Sequence, residues 1–174
     1  MNTPDAEALY RAVLEQIRAA YPDGAFGAAD GVAIAGIHSG GAWLAERLAH
    51  DVGATQWGVV NVALHRDDYA KKGLHSQASP TALPFEVEGR RILLVDDVLH
   101  TGRTVRAALN ELYDYGRPAS VELAVLVDRG GRELPVAARF TGGEMRQADP
   151  DSTLVLERAD DGRFALRIEP REAH

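Results

Sequence analysis

Four apolar residues, Ile92-Leu93-Leu94-Val95, run straight into two carboxylates, Asp96-Asp97, and a helical pattern opens a few residues later at Thr104. A short run with no polar residue suits a strand buried on both faces, the habit of strands in a parallel sheet. Such a strand needs cover on both sides, so the chain must supply helices between its strands. It does. Residues 32–37, 57–64 and 121–127 repeat the strand pattern around the one at 91–95. Between them Leu44 and Leu48 give residues 42–51 a helical stripe, and 104–115 form a helix stopped by Gly116 and Pro118. The chain therefore reads as α/β, a mostly parallel central sheet flanked by helices, with ligands gathered at the carboxyl ends of the strands.

The flanks fit one domain spanning residues 1–174. Thr3 as cap, Pro4, Asp5 and Glu7 open a first helix that Leu9, Val13 and Ile17 continue at helical spacing. Residues 153–157 and 163–168 alternate apolar and polar around Asp160-Asp161-Gly162, a hairpin signal that sets Phe164, Leu166 and Ile168 on one face. The polar stretch 65–84, with Arg66, Lys71 and Lys72, is too long for an ordinary loop and reads as a functional flap. Trp43 and Trp57 are expected to pack, and His38 and His65 to sit in loops. There is no cysteine, which excludes disulfides, thiolate metal sites and cysteine nucleophiles. No apolar stretch reaches the ~20 residues of a membrane span. The start lacks the pattern of a signal peptide, so a cytoplasmic protein is expected. The net charge of -7 weighs against broad attraction to nucleic acid.

The chemistry concentrates between Asp96 and Thr104. A helix start offers unpaired N–H groups and a partial positive charge, so the loop Thr101-Gly102-Arg103-Thr104 makes an anion pocket to which the two threonine hydroxyls add donors. Glycine at 102 lets backbone approach the anion. Ionised carboxylates only accept hydrogen bonds, so adjacent Asp96 and Asp97 suit the vicinal hydroxyls of a ribose, and their charge would stabilise a cation developing on that ring. Phosphate pocket and ribose acceptors together describe a ribose 5-phosphate. Taken singly, an Asp-Asp after a strand is often a cap, and Thr-Gly-Arg-Thr is often a turn. A phospho-acceptor receiver domain also sets acids after such a strand, but it needs the pair near the N-terminus and an acceptor aspartate on a later strand.

Residues 92–104 resemble the phosphoribosyl-diphosphate signature of the type I phosphoribosyltransferases. Residues 98–108 and Leu126-Val127-Asp128-Arg129-Gly130-Gly131-Arg132-Glu133-Leu134-Pro135 resemble one subgroup, the pyrimidine operon attenuation regulators that double as uracil phosphoribosyltransferases. A large residue at position 100, usually tyrosine there, favours that subgroup, and Arg66-Asp67-Asp68-Tyr69-Ala70-Lys71-Lys72 resembles its flap. The likeness covers about residues 32–139. It implies the conversion of uracil and 5-phosphoribosyl 1-diphosphate to UMP and diphosphate. It also implies Mg²⁺ bound mainly through the substrate diphosphate, with no dedicated protein metal site, and a dimer or higher homo-oligomer. It implies that Asp96 and Asp97 hold the ribose hydroxyls and that His100, Thr101, Gly102, Arg103 and Thr104 bind the 5-phosphate. His38, Ser39, Gly40 and Gly41 would form the diphosphate loop, joined by Arg66, Lys71 and Lys72 of the flap. Asp128 and Arg129 would lie near the base, unless Arg129 pairs with Glu133.

Two departures stand out. Relatives usually carry arginine where this chain has Gly40, so a cation facing the diphosphate is missing. The subgroup's RNA-binding face draws partly on basic residues near its N-terminal helix, where this chain offers only Arg11 and Arg18, offset by Glu7 and Glu15. The alternative reading is a UMP-sensing regulator that binds leader RNA with little or no catalysis. Orotate or hypoxanthine in place of uracil is a further alternative.

Overall fold

A computed structural model describes residues 3–62, 80–146 and 151–170. The expected flap residues Arg66, Lys71 and Lys72, and His65 with them, lie outside the described residues. Five parallel strands form one sheet: β1 (Ala33–Ile37), β2 (Trp57–Val60), β3 (Arg91–Leu99), β4 (Ser120–Asp128) and β5 (Phe140–Glu144), in the order β2-β1-β3-β4-β5. Helices α1 (Ala6–Ala20), α2 (Gly40–Val52) and α3 (Arg103–Tyr113) cover it. Strands β6 (Ser152–Arg158) and β7 (Phe164–Pro170) pair as an antiparallel hairpin.

The unbroken apolar runs follow from two cores. Successive strand residues point to opposite faces. Leu93 and Val95 of β3, Ile34 of β1 and Leu126 of β4 join one core with α1, α2 and the hairpin. Ile92, Leu94, Ile37, Leu123 and Val125 join the other with Val105, Ala108 and Leu112 of α3. The expected strand face of the hairpin is buried within the domain: Phe164 and Leu166, with Leu154 and Leu156 opposite, pack into the first core, and Ile168 lies partly buried against it. Trp43 and Trp57 pack partly buried against the same core.

Several boundaries move for physical reasons. Asp5, not Thr3, caps α1, since its carboxylate accepts from the Glu7 N–H at 3.0 Å and the Ala8 N–H at 3.3 Å. Strand β3 continues to Leu99, because β4 keeps pairing beyond the apolar run, with Asp96 opposite Val125 and Leu99 opposite Asp128. The acid pair therefore sits in the strand rather than behind it. Strand β5 is absent from the sequence reading, because Phe140-Thr141-Gly142-Gly143-Glu144 has poor strand propensity. Its glycines admit α1: a Cβ on Gly142 would stand 2.7 Å from the Leu9 carbonyl oxygen.

Glu7 ties three elements together. Its carboxylate accepts from both terminal nitrogens of Arg47 at 2.7 and 2.8 Å and from the Phe164 N–H at 2.8 Å, joining α1, α2 and β7. The Arg47 guanidinium lies 4.2 Å from the Tyr10 ring centre. The Arg47 bond holds the buried Glu7 carboxyl down at about 2, against burial, with the Phe164 N–H adding to it. A carboxyl lowered in the folded state contributes stability above its ordinary value near 4.5 and loses it as pH falls towards 2. Glu7→Gln is therefore expected to cost about 1–3 kcal/mol at pH 7. Urea unfolding at stepped pH should show that gap closing between about pH 4.5 and 2; a gap independent of pH would sever Glu7 from the hairpin's stability.

Candidate active site

The carboxyl ends of β1, β3 and β4 carry the loops that the sequence singled out. At β1, His38 and Ser39 are exposed while Gly40 and Gly41, the first residues of α2, are buried. The His38 N–H donates to the Val60 carbonyl at 2.9 Å, and the Ser39 carbonyl accepts from Ala42 and Trp43. The His38–Ser39 peptide is cis. Helix α2 has no side-chain cap at Ser39 and no acid in its first turn, so its positive end is not answered from within the helix.

The acid pair answers it. A Cβ on Gly40 would stand 2.4 Å from Asp97 Oδ2, and one on Gly41 would stand 2.4 Å from the Val95 carbonyl oxygen and 3.3 Å from Asp96 Oδ1. Only bare backbone lets α2 approach β3 this closely. Asp96 is buried at 5% exposure, and its Oδ1 accepts from the Asp97 N–H at 2.9 Å. Asp97 is half-buried and its Oδ1 accepts from the Val98 N–H at 2.8 Å.

Beyond β3, Gly102 precedes α3 with φ 96°, a left-handed conformation that suits glycine, and α3 likewise lacks a side-chain cap and a first-turn acid. The Thr101 hydroxyl accepts from the Arg103 N–H at 3.1 Å. Thr101 and Thr104 are half-buried and Arg103 exposed, while Gly102 is buried, where a Cβ would stand 3.2 Å from Leu134 Cβ and 3.4 Å from Val136 Cγ2. Arg103 reaches outward to Glu133 at 2.8 Å. Glu133 thus pairs with Arg103 and not with Arg129, whose guanidinium donates to the Ser152 carbonyl of the hairpin at 3.2 Å.

The loop after β4 is strapped to the loop after β3. His100 Nδ1 lies 2.9 Å from the Gly130 carbonyl oxygen, an acceptor, so Nδ1 carries the proton. The Thr101 carbonyl accepts from the Glu133 and Leu134 N–H groups, and the Leu99 carbonyl from the Arg129 N–H. The Asp128 carboxylate accepts from the Gly130 N–H at 2.8 Å and from Arg132 through both oxygens, at 2.9 and 2.6 Å. That guanidinium bond, more than the Gly130 N–H, holds Asp128 below the usual carboxylate range. Arg132 had no role in the sequence reading; its position four residues after Asp128 was the available signal.

The structure thus brings Gly40, Gly41, Asp96 and Asp97 into contact, and sets His100 to Thr104 beside Asp128 to Arg132. Among the described residues no group of three or more His, Asp or Glu could hold a metal ion. Asp96 and Asp97 each accept one backbone N–H through Oδ1.

Comparison with known proteins adds the following. A family model described as phosphoribosyl transferase domain matches residues 3–155. The Bifunctional protein PyrR of Ralstonia nicotianae is 59% identical over 175 aligned residues, 97% of each chain. The protein of the same name from Nitrosococcus oceani is 51% identical over 144 residues, 80% of this chain and 81% of that one. Among solved structures, a hypoxanthine-guanine phosphoribosyltransferase from Bacillus anthracis superposes with a TM-score of 0.62 over 84% of this chain and 85% of that one, at 14% identity, a likeness of fold.

Proposed function

The chain belongs to the phosphoribosyltransferase family, and on that premise we propose that it joins uracil to the ribosyl group of 5-phosphoribosyl 1-diphosphate, giving UMP and diphosphate. The observation that carries this reading is the close approach of the start of α2 to Asp96 and Asp97, with α3 opening at Arg103 in the loop that follows the same strand. One helix start against the two carboxylates and a second in the loop after their strand suit a sugar with an anion at each end. In the reaction the bond from C1 of the ribose to the diphosphate oxygen breaks, the uracil N1–C1 bond forms, and the N1 proton is lost.

Asp96 and Asp97 accept from the ribose hydroxyls and stabilise the cation developing at C1. The N–H groups at residues 101, 102 and 104 hold the 5-phosphate and those at residues 39–41 the diphosphate, since the Arg103 and His38 N–H groups already donate to the Thr101 hydroxyl and the Val60 carbonyl. With Gly40 in place of a cation, the diphosphate end relies on backbone donors, and we assign Arg66, Lys71 and Lys72 to the same end. We assign the base end to the loop that begins at Asp128 and Arg129, with Asp128 held by Arg132 and the Arg129 side chain turned to the hairpin. Mg²⁺, held through the substrate diphosphate rather than by a protein cage, would supply charge neutralisation for the leaving group.

Product formation from phosphoribosyl diphosphate with uracil, orotate and hypoxanthine, with and without Mg²⁺, tests the reading. Uracil should be preferred at least about tenfold in kcat/KM, a difference well within what a few base-edge hydrogen bonds supply. Faster turnover of hypoxanthine or orotate would overturn the uracil assignment, and no turnover of any base would overturn the enzyme.

The relatives are named bifunctional, which favours a second reading in which UMP-dependent binding of a leader RNA accompanies or replaces catalysis. Burial of Glu7 with Arg47 removes one of the acids expected to offset Arg11, while Arg18 donates to the Asp51 carbonyl at 2.8 Å. Nanomolar, UMP-stimulated RNA binding in a gel shift at stated salt would put the regulator first.

A further inference from the structure

We propose that Arg132 is a positioning residue that couples the phosphate end of the substrate site to its base end. The proposal rests on the phosphoribosyltransferase reading and deepens it. One terminal nitrogen of Arg132 donates to the His100 carbonyl at 2.9 Å and to Asp128 Oδ1 at 2.9 Å. The other donates to Asp128 Oδ2 at 2.6 Å, and Nε to the Val136 carbonyl at 2.7 Å. His100 is the first residue of the loop that reaches the N-terminus of α3, and Asp128 is the last residue of β4. A single planar guanidinium therefore grips both loops.

The geometry matters because a guanidinium presents its donors in a fixed fork. The loop after β4 cannot shift relative to His100 without breaking a bond to a charged donor, the stronger kind of hydrogen bond. A phosphate that orders residues 100–104 thereby orders residues 128–136, and a base that settles the second loop favours the first. Coupling of this kind is reciprocal and commonly amounts to 5–150-fold in affinity. A purely structural strap would move stability alone. Lysine keeps the charge beside Asp128 yet cannot reach His100, Asp128 and Val136 together.

Calorimetric titration of uracil into the full chain, with and without saturating ribose 5-phosphate, reads the coupling directly. In the wild type ribose 5-phosphate is expected to tighten uracil binding at least about fivefold. In Arg132→Lys and Arg132→Met the tightening should fall below about twofold while ribose 5-phosphate still binds and unfolding stays cooperative. Undiminished coupling in either folded variant overturns the proposal. So does a wild type that binds both probes without coupling, whatever the variants do. A wild type that binds neither probe overturns the underlying reading of the site as well.

Discussion

Replacing Asp97 by asparagine is expected to lower turnover at least about tenfold, within the ~10²–10³ that a preorganised electrostatic group typically contributes, and to leave thermal unfolding nearly unchanged. Asparagine matches the size of aspartate and keeps an oxygen for the Val98 N–H, the bond that orients the side chain at 2.8 Å. What is lost is the charge, which lies beside the uncapped start of α2 and, on the proposed function, would face the ribosyl carbon as it becomes cationic. Asp97 makes the cleaner probe of the two acids. It is half-buried, whereas Asp96 is 5% exposed and packed under Gly41, so an amide at position 96 would disturb packing and chemistry together. The measurement is kcat and KM for phosphoribosyl diphosphate alongside the unfolding midpoint. Wild-type turnover with saturable substrate in the asparagine variant would remove the cation-stabilising role and leave Asp97 as a spacer.

The sheet was legible because burial on both faces leaves no freedom in residue type. Ile34, Leu93, Leu94 and Leu126 must be apolar whichever core they meet, and the runs they form mark three of the five strands. Strand β5 was invisible because its sequence answers a different constraint, the approach of α1 over Gly142 and Gly143. The acid pair and the loop before α3 were legible as a candidate site, since each is common alone but their succession after a buried strand has few uses. Their mutual placement was not. That Asp97 leans on Gly40, that Arg103 turns out to Glu133 and that Arg129 turns to the hairpin are tertiary facts. Arg132 escaped for the same reason: its role lies in a carbonyl thirty-two positions away in sequence, and backbone carbonyls carry no signature.

Gly41→Ala and Gly53→Ala, at the two ends of α2, are expected to cost similar stability and to differ in activity. At Gly41 the added carbon would stand 2.4 Å from the Val95 carbonyl oxygen and 3.0 Å from the Asp96 Cα. Both are backbone, so no rotamer relieves the clash and α2 must withdraw from β3, at about 1–3 kcal/mol. At Gly53 nothing lies within 4 Å, but φ is +68°, and an alanine held there costs roughly 1–2 kcal/mol. Each loss should lower the unfolding midpoint by about 2–4 °C per kcal/mol in a chain of this size. Withdrawal at Gly41 moves residues 38–41, the proposed diphosphate loop, away from Asp97, and a displacement of about 1 Å at a reacting centre costs on the order of 10²-fold. Gly53 lies at the far end of the helix and strains only its own backbone, so Gly53→Ala should keep near wild-type turnover below its midpoint. If Gly41→Ala proves as active as Gly53→Ala at matched stability, close approach of α2 to the acid pair serves packing alone, and the diphosphate must be gripped elsewhere.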